Sequence, residues 1–196
     1  MDYTTTALVK TAMSSTEATD DTQIGKLVTA ASRAIDRKLS GAISSTDYLK
    51  SETVTAEVGR GIADSDGMIW YWPHKPYLTA VTSFEYRYSP QADYLSILVA
   101  WAVVDNSKIQ VFASAPRGKP FVRVSYTGGL ASSQSALPED IVEAATILAV
   151  RYYKEAKSGL SDSIGVAELG MLMYTKSWPV RVLDMLAPYR RIAPVW

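Results

Sequence analysis

Asp20-Asp21-Thr22-Gln23-Ile24-Gly25-Lys26-Leu27-Val28-Thr29-Ala30-Ala31-Ser32-Arg33-Ala34-Ile35-Asp36-Arg37-Lys38-Leu39-Ser40-Gly41 is the stretch on which the fold turns. Its apolar positions Ile24, Leu27, Val28, Ala31, Ile35 and Leu39 recur at helical spacing. The acidic pair ahead of them suits the positive end of a helix dipole, so residues 22–40 are expected to form an amphipathic helix. Beyond Gly41 that period disappears. The stretches 54–58, 68–72, 78–88, 97–104, 109–113 and 120–127 are instead rich in β-branched and aromatic residues, with turn residues between them.

Working outward, a shorter helix is expected over 6–13, with Leu8, Val9 and Ala12 apolar and the polar run Ser14-Ser15-Thr16-Glu17 after it. On the far side, Leu137-Pro138-Glu139-Asp140 opens a helix with proline and acids in its first turn, and Ile141, Ala144, Ala145, Leu148 and Tyr152 supply an apolar stripe as far as Lys157. Residues 158–176 read as a Gly- and Ser-containing connector, residues 179–186 as a last short helix stopped near Pro188, and 190–196 as an extended tail. Two turns, Asp105-Asn106-Ser107-Lys108 and Ala115-Pro116-Arg117-Gly118-Lys119, are expected to close β-hairpins. The expected fold is α+β: a small helical bundle of N- and C-terminal helices (5–41 and 137–190) with an inserted, mostly antiparallel β section (53–128), all in one domain over 1–196.

The 196 residues are 47% hydrophobic and carry 20 basic against 20 acidic side chains, so overall charge advertises no nucleic-acid, membrane-surface or polyanion partner. The absence of cysteine removes disulfides, thiolate nucleophiles and iron–sulfur ligation together. With no basic segment leading an apolar run at Met1-Asp2-Tyr3-Thr4-Thr5, and no stretch long enough to cross a bilayer, the expectation is a soluble, unexported chain without a membrane partner.

Candidate chemistry is sparse. The single histidine, His74, lies in Trp72-Pro73-His74-Lys75-Pro76, where flanking prolines make a rigid loop. Neither a zinc site nor a Ser-His-Asp relay has the other members it needs. Asp64-Ser65-Asp66-Gly67 resembles a fragment of a calcium loop but lacks the further ligands and reads as an acidic turn, and Gly59-Arg60-Gly61 lacks the third glycine of a dinucleotide fingerprint. Asp20-Asp21 and Glu139-Asp140 are read as helix caps rather than as an acid and base. No catalytic, cofactor or metal residue is therefore expected. Aromatics are the exception: Trp70, Tyr71 and Trp72 must alternate across a strand, and Phe84, Tyr86 and Tyr88 share one face, as core or as subunit surface. The C-terminal run gathers Lys176, Arg181, Arg190 and Arg191 beside Trp178, Ile192, Val195 and Trp196, a composition suited to docking.

Three segments, in order, resemble the bacteriophage head-tail connector (adaptor, head-completion) family: Tyr3-Thr4-Thr5-Thr6-Ala7-Leu8-Val9-Lys10; Ala30-Ala31-Ser32-Arg33-Ala34-Ile35-Asp36-Arg37; and the C-terminal half, with Leu137 to Ala145, Arg151-Tyr152-Tyr153, Ile164-Gly165 and Leu186-Ala187-Pro188-Tyr189-Arg190-Arg191. Residues 53–128 carry no motif of that family. The resemblance implies a non-enzymatic adaptor, made in the host cytoplasm and carried in the virion neck. There a ring of about twelve copies would sit between the portal protein and a stopper or tail-completion protein, with duplex DNA passing through without sequence-specific contact. It also implies portal docking through the C-terminal helix and tail, by Trp178, Arg181, Tyr189, Arg190, Arg191, Ile192, Val195 and Trp196. The competing readings are another neck component (a stopper or tail terminator), which would lack the helical frame, and a small ligand-binding or hydrolytic α+β domain, which would need convergent polar groups in a pocket. A nucleic-acid binder would need a basic stripe interleaved with aromatics, and in the sequence only the C-terminal cluster offers one.

Overall fold

Helix α1 spans Thr6–Ala12, capped by the Thr5 side chain, which accepts from the Leu8 N–H at 3.2 Å. Helix α2 spans Asp21–Ser40 and ends at Gly41, whose positive φ of 69° is the left-handed stop that glycine adopts without steric cost. Its inward stripe is Ile24, Val28, Ala31, Ile35 and Leu39, five of the six positions that the spacing pointed to, each buried. The computed structural model describes residues 1–15, 19–41, 47–97, 101–104, 107–157, 163–166, 170–173 and 178–190. They fall into two compact units, Met1–Asp47 with Ser133–Trp196, and Tyr48–Ser132. The second unit is a contiguous insert with a core of its own.

That insert holds strands β1 (Glu52–Arg60), β2 (Ile62–Ala63), β3 (Met68–Tyr71), β4 (Ala80–Arg87), β5 (Leu95–Ser96), β6 (Trp101–Val104), β7 (Lys108–Phe112) and β8 (Phe121–Gly128). They form two four-stranded sheets, β1-β8-β4-β5 and β2-β3-β7-β6, in which neighbouring strands run antiparallel. Alternation along β8 sends Val122, Val124 and Tyr126 inward, where with Phe84 they meet Ile69, Tyr71, Ile109 and Val111 of the other sheet. The chain passes from one sheet to the other at Gly61, where a Cβ would come within 2.8 Å of Val122 and 3.1 Å of Ile69.

Of the expected strand 97–104, Ile97 hydrogen-bonds to Phe84 of β4 in one sheet and Trp101–Val104 pairs with β7 in the other, while residues 98–100 lie outside the described ones. One expectation fails in this unit. The turn at 115–119 closes no hairpin. Buried Ala115 and Pro120 carry the chain across the core, and Gly118 exchanges backbone hydrogen bonds with Ala63 at 3.1 and 2.8 Å, so β7 and β8 lie in different sheets. On either side of 105–107, strands β6 and β7 do pair, with residues 105 and 106 outside the described ones.

In the helical unit, α3 (Glu139–Lys157) buries Ile141, Ala144, Ala145, Leu148 and Ala149 and is flanked by α1, α2 and α4 (Val180–Leu186). Between α3 and α4, where a connector was expected, the chain forms an antiparallel hairpin of β9 (Ser163–Val166) and β10 (Gly170–Met173). The scattered Ile164 and Val166 are a strand signal that the neighbouring glycines and serines obscure. Within the described residues no helix is long and apolar enough to cross a membrane.

Candidate docking surface

Helix α4 is short, and two fully buried side chains, Val182 and Leu186, anchor it; each contributes about 1.5–3 kcal/mol by leaving water. Its opposite face is open, with Val180 72% exposed and Arg181 and Asp184 exposed. A 3-10 turn, Ala187–Tyr189, extends it to Arg190, which is exposed. Four of the expected docking residues thus sit on one element and its flanks. The Lys38 ammonium lies 5.7 Å from the centroid of the half-buried Trp178 ring. Arg181 donates to Glu143 of α3, while burial, and then the charge of Asp140, raises the Tyr189 hydroxyl above its ordinary range. Arg191, Ile192, Val195 and Trp196 lie outside the described residues.

Beside Arg181 and Glu143, a groove of about 380 Å³ opens between α1, α3 and the 3-10 turn Gln134–Ala136. Leu8, Leu137 and Val142 form its apolar floor, and Glu139 and Glu143 its rim. Of the apolar positions Leu8, Val9 and Ala12, Val9 is the buried residue of α1 and Leu8 is 40% exposed. A helix of about two turns offers too few apolar positions to tell the two apart by sequence.

Polar ties fix this frame. Asp36, fully buried on α2, accepts from the Tyr3 hydroxyl, from the Asp47 N–H at 2.9 Å and from Arg33 at 3.2 Å, and Arg33 also bridges Asp47 at 2.8 Å. Burial alone would raise the Asp47 carboxyl, but hydrogen bonds from the Met1 amino group and Arg33 outweigh it and hold it down to about 2. Asp20 makes no cap hydrogen bond to α2. It accepts instead from Tyr153 and Lys157 of α3, whose hydrogen bonds lower its pKa, so this carboxylate joins two helices. Neither node was visible in the sequence, since their partners are dispersed over the chain.

The remaining candidates have local roles. Asp64 accepts from the N–H groups of Asp66 and Met68 at 2.9 and 3.0 Å and from the Trp70 indole at 3.1 Å, which makes 64–67 a closed acidic turn. The N–H of His74 donates to Glu57, which also accepts from Tyr71, so the Pro-flanked loop is pinned to β1. Among the described residues, no group of three or more His, Cys, Asp or Glu side chains could hold a metal ion.

A helical frame interrupted by a β insert is also the fold of chains solved in particles of a gene transfer agent. The chain matches the neck of an empty particle computed with C6 symmetry (TM-score 0.52) and the neck of a native particle computed with C12 symmetry (TM-score 0.51). Each match is at 17% identity and covers 97% of this chain, with 90% and 92% of the other chain. A third, from the native virion, has a TM-score of 0.54 at 17% identity, covering 97% and 90%. At that identity the likeness establishes the fold, an α+β architecture found in virion necks. The sequence goes further: the model of the head completion protein family matches residues 2–192, and the chain belongs to that family. It is a structural protein of the head-to-tail junction. Among curated proteins, none matches by sequence.

Proposed function

We propose that the chain is the subunit of a head-to-tail adaptor ring in the virion neck, seated on the portal and followed by a stopper or tail-completion protein, without enzymatic activity. The observation that carries this reading is the family match, which runs through both units of the chain. The neck computed with C12 symmetry supports a ring of about twelve copies, in which each subunit presents unlike surfaces to its two neighbours. Docking on the portal is assigned to α4 and the residues after it: Trp178, Arg181, Tyr189, Arg190, Arg191, Ile192, Val195 and Trp196. The open face of α4, with Val180 and Arg181 exposed above a buried anchor, supports that assignment. Duplex DNA passes through the ring without sequence-specific contact. Native mass spectrometry of the chain alone and mixed with its cognate portal tests the reading. A portal-bound ring is expected, and a chain that ignores the portal overturns it.

A further inference from the structure

The register of the first sheet assembles a feature that no stretch of the sequence contains. Phe121 of β8 is paired with Arg60 of β1 on one side and Arg87 of β4 on the other. The Arg60 guanidinium lies 3.5 Å and that of Arg87 5.7 Å from the Phe121 ring centroid. The Arg87 and Arg123 guanidiniums each lie 4.3 Å from the ring of Tyr94. The result is an alternating row, Arg60, Phe121, Arg87, Tyr94, Arg123. It occupies the sheet face opposite the buried Val122, Val124 and Tyr126.

We propose that this outer face of the β1-β8-β4-β5 sheet binds the phosphate backbone of duplex DNA. Stacking on a ring uses the flat side of a guanidinium and leaves N–H groups at its edge for a ligand, in Arg87 those of the Nη atoms because Nε is buried, and such groups match a phosphate. Arg60 gives one donor to the Lys119 carbonyl at 3.1 Å and Arg87 one to the Ala92 carbonyl at 3.2 Å, and neither has a carboxylate partner among the described residues. Glu85 neutralises Arg123, and Asp93 is the other nearby acid, beside Tyr94. Against these stand the three arginines together with exposed Arg117 and Lys119 on the connection into β8. The face offers donors in a line and little bare apolar surface, Val58 being its exposed aliphatic residue. Cationic donors arrayed in a line suit a repeating anionic acceptor such as a phosphate backbone.

The proposal rests on the adaptor reading only for where the DNA comes from. It is tested on the free full-length chain by fluorescence anisotropy with a labelled duplex oligonucleotide across a salt series, so indifference to the portal leaves the result standing. Weak binding is expected, with log affinity falling against log salt at a slope of about −2, one unit for each arginine without a carboxylate partner. The double variant Arg60→Gln/Arg87→Gln is expected to lose at least about 10-fold in affinity and about two units of slope. Lys26→Gln, an equal kind of charge loss on exposed α2, should change affinity less than about 2-fold. Glu85→Gln, which removes the carboxylate and keeps every arginine, should tighten binding and so tests the proposal even where the double variant fails to fold. The proposal is overturned if the double variant binds as the parent does, if Lys26→Gln weakens binding equally, or if the chain binds polyglutamate and not DNA.

Discussion

At the scale of residues, the chain depends on buried polar groups that its helical patterning does not announce. Asp36 shares one helix face with Ser32 and Leu39, and all three are buried, so hydropathy alone would leave Asp36 unexplained. Its three donors resolve it, and Asp36→Ala would strand them in the interior. The expected loss is about 3–5 kcal/mol of unfolding free energy, read by urea denaturation. Asp47 adds a dependence on pH whose sign follows from linkage. Its carboxyl is at about 2 in the fold against an ordinary 3.8, so as acid is added the unfolded chain takes up the proton first. The stabilisation is fully present above pH 3.8 and is lost as pH falls through about 2. It amounts to about 2 kcal/mol. In Asp47→Asn the acid limb of stability against pH should flatten over that window, and an unchanged limb would show that other carboxylates carry it. The arginine–aromatic row belongs to this scale too: Arg60, Arg87, Tyr94, Phe121 and Arg123 come from separate stretches, and only strand register brings them together.

Elements were legible in proportion to their length and periodicity. Helices α2 and α3 begin and end within a residue or so of their sequence signals, because each is long enough to show a stripe and carries acids at one end. Most strands of the β section were also apparent. Their partners were not, since alternation reports which side of a strand is buried and says nothing about which sheet the strand enters; hence the false hairpin at 115–119. The two-residue strand Ile62–Ala63 is too short to carry a pattern and was missed. Helix α4 was legible but is marginal, since seven residues cannot hold a helix without packing. Leu186→Ala should therefore act locally, removing about 2–4 kcal/mol from the attachment of α4. Hydrogen exchange in residues 180–189 should accelerate while amides of β8 keep their protection. Equal loss in β8 would mean that the two units unfold together. Glycine at 129 is a further sequence signal with a physical reading: at φ 118° a Cβ would lie 2.2 Å from the Lys50 carbonyl oxygen. Gly129→Ala is expected to destabilise the β unit by at least about 2 kcal/mol, seen as a lower melting temperature.

For the whole molecule, what the sequence conveyed was membership: three helical segments in the right order pointed to the family that the match over residues 2–192 establishes. The portal-docking assignment makes a claim that folding alone does not satisfy. Of its eight residues, Trp178, Arg181 and Tyr189 already have neighbours within the helical unit, in Lys38, Glu143 and Asp140, while Arg190 is exposed at the end of the 3-10 turn. Residues that α2 and α3 already hold are poorly placed to be the main anchor for another protein, so the assignment puts the binding energy in the segment from Arg190 onward. Deleting residues 190–196 removes that segment and leaves Val182 and Leu186 to anchor α4. The truncated chain should keep its circular dichroism and its melting temperature within a few degrees, since the buried anchors Val182 and Leu186 are retained. It should nevertheless no longer co-sediment with portal rings, because interface energy is concentrated in a few aromatic and arginine side chains. A truncated chain that still co-sediments would move the docking face to α4 itself, where Arg181→Ala and Val180→Asp, on exposed positions, would be the next variants to lose attachment.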